Sequence, residues 1–184
     1  MCRFGGGFYC GLIECNGQSV YVFNGFFMSM RSKFTAPGVS IHYYVVEWDN
    51  TKQSWADFRG KVMGPTDPAD APKDSLRGMT LSNWETLGLS AVPNVGDNGI
   101  HASASPFEAL AERANWLGAD IEADSFGAAL IASGVSVDTI KTWSVDPQVV
   151  IDSSGKKGSL FDAVEDTDSV ECLAKLVYIN AINK

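Results

Sequence analysis

The sequence predicts a mixed α/β fold, and three local patterns carry that prediction. Two runs rich in β-forming residues, 8–14 and 19–23, flank Asn16-Gly17, a dipeptide that tight hairpin turns favour. Residues 105–108 have the order of a helix N-cap, a proline at the first helical position and a capping-box glutamate. A third pattern is Asp168 ahead of apolar residues at helical spacing, which predicts a C-terminal helix.

The other elements up to residue 118 follow from apolar spacing and from proline and glycine breaks. Residues 39–48 are apolar on both faces of an extended chain, which is typical of a central strand. In chain order we expect a helix over 26–34 ended by Pro37-Gly38, the strand over 39–48, a helix over 55–63 ended by Gly64-Pro65, a Pro/Asp-rich loop over 67–76, a helical insert over 80–89, a strand over 100–102 and a helix over 105–117.

The sequence predicts that the last third of the chain is mainly helical. We expect helices over 124–133, ended by Gly134, and over 136–143, then a strand over 149–151 and a loop over 152–155. The final helix should run over 168–182. The residues expected to face inward from it are Val170, Leu173, Val177 and Ala181.

Composition excludes several classes of function. The chain has 184 residues, 45% of them hydrophobic, and a net charge of −8, which argues against non-specific binding of nucleic acid because that needs a basic face. It has no apolar run of about 18 residues, so no membrane span is predicted, and no signal peptide is recognisable. The four cysteines form no CxxC pair, which favours free thiols over a metal site. Free thiols are typical of a cytoplasmic protein.

The segment around His101 carries the most specific motif. A histidine ends a short apolar run, and a hydroxyl-rich turn and a capped helix follow it directly. The N-terminus of a helix favours anions, because free N–H groups and the helix dipole point there. From Asn98 to Ser105 the chain resembles the Asn-x-x-His-x-Ser-x-Ser signature of the nucleoside diphosphate kinases, whose histidine is phosphorylated during turnover.

Two further stretches resemble the same family, in the correct order. Residues 64–70 and 75–78 are similar to the family's Gly-x-Thr-(Asn/Asp)-Pro-Ala loop and the arginine that follows it. Phe26-Phe27 and residues 42–48 resemble its paired phenylalanines, helix and next strand. The resemblance covers about residues 24–118. It implies a ferredoxin-like antiparallel sheet with helices on one face, in a kinase-like domain over 1–118, with a mainly helical C-terminal extension over 119–184.

The chain departs from the family pattern at defined places. The family's Lys-Pro-Asp-Gly strand and its active-site tyrosine have no counterpart, so we expect the first domain to be N-terminally incomplete. The family's helix arginine would fall at Gly60. Arg59 lies one position too far upstream and replaces it only if the helix shifts register, and Lys61 is a second candidate.

The resemblance implies three catalytic residues. His101 matches the nucleophile, and imidazole suits that role because it is nucleophilic and leaves readily once phosphorylated; a buried structural histidine is the alternative. Glu112 matches the glutamate that orients the ring, with a solvated helix charge as the alternative. Ser103 matches a serine near the histidine, and turn capping is the alternative.

The resemblance also implies five nucleotide contacts. Thr66 and Arg77 match the phosphate-contacting pair, and arginine gives bidentate phosphate geometry; a surface salt bridge is the alternative for Arg77. Asn98 matches a sugar and phosphate contact, or serves the turn after Gly-Asp. Phe26 matches the residue that stacks on the base, or is a core phenylalanine. Arg59 completes the set.

These matches predict an enzyme that moves a phosphoryl group from a nucleoside triphosphate to a different diphosphate through a phosphohistidine on His101. Mg²⁺ would arrive with the nucleotide phosphates, so no protein metal cage is needed. The alternative is a catalytically weak or inactive domain of this ancestry that binds nucleotide or another protein. The expected partners are nucleoside di- and triphosphates, with self-association left open, and neither nucleic acid nor membrane.

Overall fold

The computed structural model describes residues 2–5, 8–23 and 26–184, and the side chains of 9–23 and 31–184. Within these residues the fold is mixed α/β, with two small antiparallel sheets and eight α-helices. The strands are β1 Cys2–Gly5, β2 Phe8–Cys15, β3 Gln18–Phe23, β4 Gln148–Val150 and β5 Lys157–Ser159. The helices are α1 Phe26–Thr35, α2 Trp55–Asp57, α3 Leu76–Ser82, α4 Pro106–Leu117, α5 Ser125–Ala132, α6 Val137–Trp143, α7 Leu160–Val164 and α8 Ser169–Ile182.

The N-terminal hairpin is confirmed. Strands β2 and β3 pair antiparallel, and Cys15 faces Gln18 across a two-residue turn. Asn16 and Gly17 have φ values of 51° and 74°, the left-handed conformation that a type I′ turn requires at both positions. Strand β1, which we did not predict, pairs with β2 on its other side.

The strand predicted over 39–48 is wrong. Those residues form no ladder, and apart from half-buried Trp48 they are exposed, with Tyr44 86% accessible. A β-rich pattern makes a segment fit for a sheet, but a strand also needs a partner from elsewhere in the chain. The strand predicted over 100–102 is wrong for a related reason, since the carbonyl of Ile100 accepts a hydrogen bond from the side chain of Arg77 instead of from a neighbouring strand.

The middle of the chain is helical where predicted, and the stretch predicted over 55–63 has those bounds. Helix α2 begins after Ser54, whose hydroxyl accepts the N–H of Asp57, and it continues as a π-helix over Phe58–Met63. The predicted insert over 80–89 is wrong in extent. Helix α3 starts four residues earlier because Ser75 caps it by accepting the N–H of Gly78, and turns follow from residue 83. The loop over 67–76 holds one 3-10 turn, Pro68–Asp70.

The hydrophobic core lies in the second half of the chain. Its buried residues come from α4 to α8 and β4 and include Phe107, Leu110, Leu130, Ile140, Leu160, Cys172, Leu176 and Ile179. The predicted helices over 124–133, 136–143 and 168–182 and the strand over 149–151 are confirmed with small shifts at their ends.

The inward face expected for α8 needs correction. Val170 is 76% exposed and Ala181 is exposed, whereas Leu173 and Val177 pack on the rim of the core. The centre of the buried face is shifted towards Cys172, Leu176 and Ile179. The helix starts at Ser169, but the carboxylate of Asp168 bonds Trp55 and does not cap it.

Helix α4 belongs to the same core as the predicted C-terminal extension, since Phe107 and Leu110 pack with residues of α5 and α8. The boundary at residue 118 stays a prediction, and these contacts cross it. None of the helices in the ranges given above is both long and apolar enough to cross a lipid bilayer.

Candidate functional site

The N-terminus of α4 is built as the sequence predicts. Ser105 is fully buried, and its hydroxyl accepts the N–H of Glu108 at 3.1 Å, while Pro106 takes the first helical position. The carboxylate of Glu108 turns back and accepts the N–H of Ala104, one residue before the cap. This double cap places the segment with His101 and Ser103 directly ahead of the helix.

His101, Ser103 and Glu112 come together as predicted. The Nε2 atom of His101 lies 2.5 Å from Oε1 of Glu112, and the hydroxyl of Ser103 donates to Oε2 of the same carboxylate at 2.5 Å. A carboxylate only accepts, so this contact places the ring proton on Nε2. Nδ1 has no hydrogen-bond partner among the described residues, and the imidazole side chain is 64% exposed.

Charge and burial shift three pKa values in this cluster. The hydrogen bond to Glu112 raises the pKa of His101, and the charge of Glu108 adds to that effect against partial desolvation. Burial alone would raise the pKa of Glu112, but the hydrogen bonds from His101 and Ser103 outweigh it and lower that pKa. Burial raises the pKa of Glu108, and the neighbouring Glu112 contributes.

Two contacts from distant elements hold the segment in place. The indole Nε1–H of Trp55 donates to the carbonyl of Ser103 at 2.8 Å, and the N–H of Asp166 donates to the carbonyl of Ala104 at 2.8 Å. We did not predict either residue. Trp55 follows the N-cap Ser54 in the sequence, but nothing local indicates which carbonyl its indole reaches.

The side chain of Arg77 connects this segment to the loop that contains Gly64. Its guanidinium donates to the carbonyls of Gly64 and Ile100, each at 2.7 Å, and its Nε is buried without a partner. Gly64 has a φ of 88°, and a Cβ there would lie 2.7 Å from the hydroxyl of Ser75, so only glycine presents its carbonyl in this way. The surface salt bridge considered for Arg77 is not present in the described part of the chain.

Asn98 and Thr66 are brought to the same loops. The side-chain amide of Asn98 donates to the carbonyl of Thr66 at 3.0 Å, and its oxygen accepts the N–H of Ile100 at 3.4 Å. Thr66 is exposed. This bond between Asn98 and Thr66 joins the two loops whose carbonyls accept from Arg77. The contact with Ile100 gives Asn98 the turn role that was the alternative for it.

Arg59 faces the C-terminal part of the chain. Its Nη1 lies 2.9 Å from Oε1 of Glu165 and 2.5 Å from Oδ1 of Asp166. Burial lowers the pKa of Arg77, and the positive charge of Arg59 adds to that effect; the same charge acts to lower the pKa of His101. Lys61 pairs with Asp57 one helical turn away. The side chain of Phe26 lies outside the described residues.

The assembled site offers an exposed imidazole oriented by a carboxylate. Arg77 bonds the carbonyl of Ile100, the residue before His101, and Arg59 pairs with Asp166, whose N–H bonds Ala104. Such an arrangement suits nucleophilic attack through Nδ1. One set of metal-type ligands also lies here: His101, Glu108 and Glu112 each place a donor atom within 4.8 Å of the others. Comparison of the chain with protein-family models, with curated proteins and with solved structures finds no match in any of the three.

Proposed function

We propose that this protein transfers a phosphoryl group between nucleotides through a phosphohistidine on His101. The observation that carries the proposal is the 2.5 Å contact between His101 Nε2 and Glu112 Oε1. It holds one ring nitrogen as a donor and leaves the other for attack. The order of the three family-like stretches adds support.

In the first half-reaction, the lone pair on Nδ1 attacks the terminal phosphorus of a nucleoside triphosphate. An N–P bond forms, the bond from that phosphorus to the bridging oxygen breaks, and its electron pair leaves with the diphosphate. Glu112 offsets the positive charge that grows on the ring, and Ser103 holds Glu112 in place. A different diphosphate then attacks the phosphohistidine through its terminal oxygen, which restores the free imidazole.

The residues proposed to meet the nucleotide are Thr66, Arg77, Asn98, Arg59 and Phe26. Arg59 would contact the transferred phosphate after exchanging a carboxylate partner for it, and Phe26 would stack on the base. Mg²⁺ enters with the nucleotide as part of the substrate, so none of these residues has to ligate it.

A second candidate is a domain of the same ancestry that binds nucleotide weakly or without turnover. The specific observation in its favour is that both arginines already have partners. Arg77 donates to two carbonyls, and Arg59 faces two carboxylates. A phosphate must compete with these contacts. The arginines therefore neutralise less of the negative charge that develops in the transition state.

Further features belong to the same proposal. A ferredoxin-like sheet over the first domain and self-association follow from the family resemblance, and a cytoplasmic location follows from the cysteine pattern. The division into 1–118 and 119–184 has the same basis. Among the described residues of 1–118, the observed sheet is the antiparallel sheet of β1, β2 and β3.

Initial-rate kinetics with ATP and GDP test the proposal. We expect formation of GTP and ADP with parallel double-reciprocal lines, because the phosphoryl group passes through the protein. His101→Ala should abolish transfer. His42→Ala, which changes the other histidine of the chain, should leave it unchanged. ATP binding without transfer would support the second candidate.

A further inference from the structure

We infer that His101, Glu108 and Glu112 form a binding site for a divalent transition-metal ion of the zinc class. Their donor atoms lie within 4.8 Å of one another. Zinc bonds to imidazole nitrogen and carboxylate oxygen measure about 2.0–2.2 Å, so two ligands of one ion lie at most about 4.2 Å apart. Small side-chain rotations are needed to close that difference and to open the 2.5 Å contact between His101 Nε2 and Glu112 Oε1.

The backbone fixes the approach of the three ligands. Glu108 and Glu112 are four residues apart on α4 and so lie on one helical face. The imidazole of His101 reaches that face because its segment is held by Trp55 and by the N–H of Asp166. The site is therefore built on a rigid helix and a braced segment.

Neighbouring donors orient both carboxylates through their Oε2 atoms. Ser103 donates to Oε2 of Glu112, and the N–H of Ala104 donates to Oε2 of Glu108. Oε1 of Glu108 can face the ion directly, whereas Oε1 of Glu112 accepts the Nε2–H of His101 and faces the ion once the ion replaces that proton. Support of this kind for the ligands is typical of metal sites.

The two glutamates supply the negative charge that a divalent cation needs. Two glutamates face the imidazole, and the charge of the nearby Arg59 is balanced by Glu165 and Asp166. One nitrogen with two carboxylates suits Zn²⁺, whereas Mg²⁺ prefers ligand sets made of oxygen alone. The site should therefore distinguish zinc from the magnesium that accompanies nucleotides.

Zinc binding would also regulate the site. The ion takes the place of the proton on Nε2, which passes to solvent, and it draws electron density from the ring, so Nδ1 becomes a weaker nucleophile. This consequence rests on the proposed function, but the binding itself does not.

Ring ¹⁵N NMR of histidine-labelled protein tests the binding directly, because the chain has only two histidines. We expect Zn²⁺ to shift the ring signals of His101 and not those of His42, and Mg²⁺ to shift neither. Glu108→Gln keeps an acceptor for the N–H of Ala104 but loses the charge, so zinc affinity should fall at least about tenfold. The matched control is Glu122→Gln at an exposed position, which should bind as the wild type does.

Unshifted His101 signals in excess Zn²⁺, or equal affinity in the Glu108→Gln variant, would overturn the site. The regulatory consequence is read separately, as the effect of Zn²⁺ on phosphohistidine formation in the wild type and in Glu108→Gln. The regulation is supported if Zn²⁺ prevents labelling of His101 in the wild type but not in Glu108→Gln. If no label forms even without zinc, the proposed function fails while the NMR result still decides the metal site.

Discussion

Trp55 and Ser103 are joined by a hydrogen bond of 2.8 Å, in which the indole Nε1–H donates to the backbone carbonyl. The backbone N–H of Trp55 also donates to Oδ1 of Asp168 at 2.7 Å. One residue therefore connects the start of α2 to the His101 segment and to the start of α8. The position of His101 depends on contacts made far from it in the sequence.

Trp55→Phe should lower the free energy of unfolding by about 1 kcal/mol, because one hydrogen bond is lost while an aromatic ring remains to pack on Trp48. The His101 ring signals should also change. Urea denaturation and ¹⁵N NMR measure the two effects. Trp116→Phe, at an exposed position, is the control, and an equal loss in that variant would contradict the role of the indole.

Arg77→Ala should destabilise the fold as well as weaken nucleotide binding. We expect a loss of about 1–3 kcal/mol in unfolding free energy, since the carbonyls of Gly64 and Ile100 lose their donor. Arg31→Ala, at an exposed position, serves as the control. Weaker nucleotide binding with wild-type stability would show that Arg77 acts on the ligand and not as a bridge.

The pair of His101 and Glu112 should make stability depend on pH in a defined window. The raised pKa of His101 gives stabilisation that is complete below the ordinary histidine value of 6.5 and is lost as pH rises through the folded-state value. The lowered pKa of Glu112 gives stabilisation that is complete above the ordinary value of 4.5 and is lost as pH falls through the folded-state value.

The difference in unfolding free energy between the wild type and Glu112→Gln should therefore be largest between about pH 4.5 and 6.5 and shrink on both sides. Because the imidazole is mostly exposed, we expect this difference in unfolding free energy to stay below about 1 kcal/mol. Chemical denaturation across this range measures it. A difference that is constant with pH would show that the two groups are not coupled.

Glu165→Gln with Asp166→Asn should strengthen nucleotide binding. These carboxylates occupy Arg59, so removing their charge frees the guanidinium for a phosphate. We expect a several-fold lower Kd by calorimetry, and no gain when Arg59→Ala is added. Unchanged affinity in the double variant would show that Arg59 does not contact the nucleotide.

Elements with a complete local signal were predictable from the sequence. Asn16-Gly17 specifies its own turn, and Ser105 with Glu108 specifies the start of α4, because the atoms that make these contacts are close in the chain. His101 and Glu112 could be placed together because the helix fixes most of the distance between them.

Features that depend on a distant partner were not predictable in this way. The segment over 39–48 has the composition of a strand but no strand partner among the described residues. The sequence marks Arg77 as a phosphate ligand by resemblance, but the two carbonyls that hold it belong to loops whose approach is set by tertiary packing. The π-helix after α2 has no local signal of its own that we recognised.

The phosphoenzyme itself tests the central claim most directly. The protein is incubated with nucleoside triphosphate labelled on the terminal phosphate, and the label is mapped by peptide analysis. The account predicts an acid-labile, base-stable label on His101 that transfers to added diphosphate and is absent from His101→Ala but present in His42→Ala. Label on another residue, or equal labelling of His101→Ala, would contradict it.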